Sequence, residues 1–333
     1  MTGPHSDDTV VITPRARRGP IGKLVAGLAG AGALVAAVVL WLVWPQPRPP
    51  LPVPVPVPPA AVQAPVASPP AFALQTAPED EIRNHSADTL AVFRFAANPN
   101  IVVLDFPTLL QQGLMLDRVA ALVEKAGLPR DRVLSDPDLL AAIHERGDTI
   151  ETFYYGHDYP ASALARFFQL ADQEHVQLNQ QEETLRALLN QLGWLKPGAN
   201  GALITIPRVG ADANVTMAAR ATILRHELSH GEFFSDPAYA DYVRRFWQAD
   251  LTEAERASVR HFLGSQEYDT TDEELMLNEM QAYLMFTRDP RFFKASDIGM
   301  TEERRAELQA AFLRGLDVPW LRENMLHPLT GSP

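Results

Sequence analysis

Residues 213–234 read ANVTMAARATILRHELSHGEFF. From 215 to 230 the run lacks Gly and Pro, and Asn214 ahead of it is a residue type that caps helices, so the pattern predicts a helix over 215–230. In a helix, positions i and i+4 lie one turn apart on one face. His226 and His230 therefore turn their imidazoles the same way and can reach one ion. Glu227 sits about 100° round the helix from His226, beside that ion. A carboxylate there can take a proton from a metal-activated water. Ile223, Leu224, Leu228 and Ser229 are uncharged, as a buried metal-binding helix needs. The competing reading is a pair of histidines on a solvated face.

His226, Glu227 and His230 form an HExxH motif, and on it the chain resembles the HExxH zinc metallopeptidases, the zincins. The resemblance implies a zinc ion (Zn2+) held by His226 and His230, with Glu227 as general base. It covers the motif helix and one downstream helix. Glu232 departs from it, because that position is usually apolar in the family.

The third ligand separates the branches. A metzincin pattern needs Gly at 233 and His at 236, whereas this chain has Phe233 and Asp236. The sharp turn that glycine permits is resisted by Phe, although Asp236 itself stays a candidate. Glu279, in DEELMLNEMQAYLMF (272–286), is the stronger one. It is the only charged residue between Leu275 and Phe286, and a lone carboxylate in an apolar helix is costly unless a cation or metal meets it. The interval from His230 leaves room for two helices, near 237–248 and 253–264. The NExxAY form at 278–283 resembles the glutamate helix of gluzincins, where the Glu is the third zinc ligand. Glu267, Asp269, Glu273 and Glu274 are the remaining acids in range.

Tyr283, one turn after Glu279, is a candidate donor to a developing oxyanion, or else core. FYYGHDY (153–159) gathers Tyr154, Tyr155, His157 and Asp158 at a glycine turn, a composition that lines clefts or simply packs. Asp269, Asp272 and Asn278 are candidate partners for the outer nitrogens of the histidines. Zincins place an edge strand just before the motif helix. GALITIPRV (201–209) is that strand or a plain core strand.

The 333 residues carry a net charge of −12 and no cysteine. The first excludes nucleic acid as a natural partner of the folded part, and the second removes disulfides and thiolate metal sites. Residues 1–20 form a polar tail with Arg15, Arg17 and Arg18, expected in the cytoplasm. Residues 21–44 are apolar enough to span a bilayer and end in Trp41 and Trp44, which favours a transmembrane anchor over a cleaved signal peptide. Residues 45–77 are a proline-rich linker of extended geometry.

Residues 78–333 read as one mainly α (α+β) domain, zincin-like on the resemblance, with a small edge sheet before the HExxH helix. A helical N-terminal part (78–200) packs on the motif-bearing part (201–333). Helical periodicity marks Leu116–Ala126, Pro137–Glu145, Ser162–Ala171 and Glu182–Leu192, and strand-like runs lie at 100–106 and 201–206. The expectation is a single-pass protein of a bacterial inner membrane with a periplasmic zinc metallopeptidase domain. Its partner would be a peptide or protein substrate outside the cytoplasm. Two alternatives stand: a tethered envelope binding module with a structural or vestigial zinc site, and an amide hydrolase of peptidoglycan stems.

Overall fold

The two apolar runs form strands that pair in parallel at the middle of a mixed sheet. The computed structural model describes residues 71–328. The tail, the apolar segment 21–44 and most of the proline linker lie outside the described residues, and no helix among the described residues is long and apolar enough to cross a membrane.

The strands are β1 (Leu74–Ala77), β2 (Ala91–Phe95), β3 (Ile101–Phe106), β4 (His157–Pro160) and β5 (Ala202–Pro207). Their order is β1-β2-β3-β5-β4, with β1–β2 and β3–β5 parallel and β2–β3 and β5–β4 antiparallel. Every residue of β3 and β5 is buried, so both faces of the sheet are covered. Alternate side chains point to opposite faces. Ile101, Val103, Ile204 and Ile206 enter one core, while Val102, Leu104, Phe106 and Leu203 enter the other.

The second core is filled mainly by α2 (Leu109–Val123), α4 (Ala161–Gln173) and α5 (Gln180–Leu192), with Ile143 added from the helix before α4. Between α2 and α4 runs α3 (Asp136–Glu145). The first core holds α1 (Glu79–Asn84), the motif helix α6 (Met217–Ser235), α7 (Pro237–Ala249), α8 (Glu253–Ser265) and α9 (Glu273–Gln281). After α9 the chain makes a π-helical turn (Ala282–Phe286) and a 3-10 turn (Ala295–Ile298), then α10 (Glu302–Gly315) and α11 (Pro319–Leu326) close the same core.

The mainly helical α+β class is therefore as expected, and four features differ. First, β1 begins at Leu74, inside the stretch read as linker, because its backbone pairs with β2. Second, 78–200 is not helical throughout: it supplies β2, β3 and β4 to the sheet that β5 completes. Third, β5 is no edge strand, since β3 and β4 flank it and Pro207 stands only at its last position. The edge belongs to β4, whose sequence HDYP carries no apolar alternation. Fourth, α6 is capped by Thr216, whose side chain accepts from Ala219 N. Asn214 instead lies in the preceding turn, its N–H donating to Asp212.

Two features seat α6 on the sheet. Gly231 lies so close to β3 that a Cβ there would stand 2.9 Å from Ile101 side-chain atoms. Arg220, fully buried, donates to both carboxylate oxygens of Asp105 on β3 at 2.7 and 2.8 Å and to the carbonyls of Ile82, Arg83 and Pro207. The fork geometry of a guanidinium uses all its donors here, tying α6 to α1, β3 and β5 at once.

Candidate metal centre

Where α6 crosses β4 and β5, the motif residues face α9. Residues His226, Glu227, His230 and Glu279 are each at most 1% exposed. The Nε2 atoms of His226 and His230 are 3.1 Å apart, and Glu279 Oε2 lies 3.7 Å from each. The point equidistant from the corners of that triangle is about 2.0 Å from all three, the length of a zinc–nitrogen or zinc–oxygen bond.

The protonation of the ring nitrogens follows from their outer partners. Thr287 donates its hydroxyl to Ala282 O at 3.0 Å, so its oxygen accepts from His226 Nδ1 at 2.9 Å. That leaves the Nε2 lone pair of His226 turned to the triangle. His230 presents its Nδ1 to Asp158 Oδ1 at 3.8 Å. Burial, with His230 alongside, pushes His226 well below the ordinary imidazole range. Burial takes His230 down to about 4, against an opposing contact from Asn278. Both rings are therefore neutral near pH 7, the state a metal ligand requires.

The carboxyls move the other way. Burial, then the charge of Glu124, raises Glu279 and Glu227, and burial followed by the charge of Glu227 raises Asp158. Crowded buried acids disfavour one another's ionised forms unless a cation joins them. Two imidazole nitrogens and one carboxylate oxygen, with Glu279 Oε2 free of any hydrogen-bond partner, make a donor set that fits zinc.

Glu227 stands beside the triangle, its carboxylate grouped with the carboxylate of Asp158 and a ring nitrogen of His230. The main chain at Gly156 runs against it: a Cβ on Gly156 would overlap Glu227 Oε1. Tyr283 is buried with its ring edge-on to His226 at 4.8 Å. Burial and the Glu279 charge hold the proton on its phenol.

The other acids are engaged elsewhere. Asp236 caps α7, accepting from Ala238 N and Tyr239 N. Glu267 pairs with Lys125 and Arg146, Asp269 with Arg130, Glu273 with Arg260 and Glu274 with Arg244. Asp272 caps α9 through Leu275 N. Of the three outer-partner candidates only Asn278 lies beside a motif histidine. Glu232 is buried where the family favours an apolar residue, and it accepts from Asn98 at 2.7 Å and Trp320 at 3.1 Å.

In the FYYGHDY cluster, Asp158 faces the centre. His157 turns to the opposite side of β4, against Thr205 Oγ1 at 3.1 Å and Asp117 at 3.7 Å. Sequence reasoning missed Glu124 and Thr287. Comparison with protein-family models, with curated proteins and with solved structures returned no match to this chain.

Proposed function

We propose that this chain is a zinc-dependent metallopeptidase of the zincin type, with His226, His230 and Glu279 as the zinc ligands. The observation that carries this is the triangle of two bare imidazole nitrogens and a carboxylate oxygen with Glu227 at its side. A zinc ion bound there supplies Lewis acidity, lowering the pKa of a water and polarising a carbonyl.

The chain's own residues do the rest. Glu227 accepts the proton of the attacking water and passes it to the leaving amine. Asp158 stands beside it: burial raises both carboxyls, and the contact from Asp158 opposes that rise at Glu227, favouring the ionised, proton-accepting form there. The Tyr283 phenol, which holds its proton firmly, is the candidate donor to the oxyanion that develops on the substrate. The free edge of β4, beside the centre, is where an extended peptide would add by backbone hydrogen bonds. With 21–44 as an anchor, the substrate is a peptide or protein outside the cytoplasm.

One observation favours a second reading, a binding module with a closed structural site: Asp158 brings a further carboxylate beside Glu279. Glu227→Gln separates the two. A peptidase variant keeps its zinc and loses turnover of an unfolded protein substrate by about 10²-fold or more. Turnover in the wild type that survives the substitution would overturn the peptidase assignment.

A further inference from the structure

One buried amide ties the motif helix, the glutamate helix and α7 together. Gln281 is the last residue of α9 and is fully buried. Its Oε1 lies 2.7 Å from the Tyr239 hydroxyl on α7. Its Nε2 lies 3.2 Å from Ser229 Oγ on α6 and 3.3 Å from Asn278 Oδ1, one turn back in α9.

The partners fix which way the amide points. Ser229 donates its own hydroxyl hydrogen to His226 O at 2.7 Å, so towards Gln281 it can only accept. The amide nitrogen therefore faces Ser229, and the oxygen is left to accept from Tyr239. Both amide hydrogens and the oxygen are then in use. Tyr239, Ser229 and Asn278 are buried as well. A buried polar network with its members satisfied holds one arrangement, because any slip leaves polar atoms without partners.

These residues sit where they bear on the zinc ligands. Ser229 stands between His226 and His230, and Asn278 immediately precedes Glu279. Gln281 itself marks the junction at which α9 gives way to the π-helical turn Ala282–Phe286, and that turn carries Thr287 to His226 Nδ1. A π turn is an uncommon departure from the α-helix, set by local contacts. A tether just ahead of it fixes Glu279 on one side and Thr287 on the other.

We infer that Gln281 is a positioning residue of the metal centre. By clamping α9 to α6 it keeps Glu279 Oε2 equally far from both histidines, 3.7 Å, where one zinc reaches all three. Metal–ligand bonds tolerate deviations of only about 0.2 Å, so a small slip of α9 costs a ligand. The inference rests on the zinc assignment above.

The test compares four full-length proteins: wild type, Gln281→Met, Tyr239→Phe and Leu185→Ala. Met keeps the length of the side chain and removes all three hydrogen bonds, whereas Phe removes only the tie to α7. Leu185 is buried in the other core and serves as the destabilised control. Zinc affinity is measured by chelator competition, geometry by the visible absorption of the Co2+-substituted protein, and stability by melting temperature. Gln281→Met should bind zinc about 10- to 100-fold more weakly and shift the Co2+ bands. Tyr239→Phe should move both in the same direction by less. Leu185→Ala should melt lower with unchanged zinc affinity and bands. Wild-type affinity and bands in Gln281→Met, or in Tyr239→Phe where Gln281→Met fails to fold, overturn the inference and leave the zinc site standing. An equal loss of affinity in Leu185→Ala overturns it too, by making the effect one of general stability. A wild type that binds no zinc overturns the zinc assignment and the inference with it.

Discussion

His226 Nδ1 lies 2.9 Å from Thr287 Oγ1, and the Thr287 hydroxyl is itself committed to Ala282 O. This relay settles which nitrogen of His226 is bare, and the π-helical turn Ala282–Phe286 delivers Thr287 to that place. Thr287→Val keeps the shape and removes the acceptor. Zinc affinity, measured by competition with a chromophoric chelator, should fall about 10- to 100-fold. Thr287→Ser should restore most of it.

Gly156→Ala tests the fit around Glu227. The added methyl meets the end of a movable side chain rather than fixed backbone, so the melting temperature should change little. Glu227 must swing aside, however. Turnover should drop about tenfold or more while zinc content stays at the wild-type value.

Asp105→Ala tests how the motif helix is seated. It leaves Arg220 buried without its carboxylate, which costs about 3–5 kcal/mol. Denaturant unfolding should show that loss, and His85, 2.7 Å from the same carboxylate, loses its partner too.

Glu255 links α8 to α10 through Arg304 and caps α8 with Thr252. The Arg304 hydrogen bond takes its carboxyl from 4.5 down to about 2. A depressed folded-state pKa gives stability that is full above the unfolded value and fades as pH falls toward 2. Thermal melts between pH 5 and 2 should therefore decline less steeply in Glu255→Gln than in the wild type.

Much of this was legible in the chain. His226 and His230 sit at i and i+4, and that spacing alone put both nitrogens on one point. Glu279 stood out because it is the only charged residue between Leu275 and Phe286, and the fold brings it 3.7 Å from both histidines. The same logic applies to Glu124, which follows the apolar run VAALV (119–123), but the neighbouring Lys125 offers an apparent partner in sequence. Only the fold shows that Lys125 turns to Glu267.

Strand β4 was hidden because its side chains serve the site and a polar cluster rather than a repeating apolar face. Thr287 carries no sequence signal at all, and the glycine turn at Gly156 does not announce how close its backbone comes to Glu227. One depends on a π turn and the other on a close approach between β4 and α6.

The proposed centre consists of His226, His230 and Glu279 around one ion. Zinc content measured after exhaustive dialysis should be one per chain in the wild type and in Asp236→Ala, whose lost carboxylate only caps α7. In Glu279→Ala it should fall to near zero. Zinc retained by Glu279→Ala and lost from Asp236→Ala would contradict the centre described.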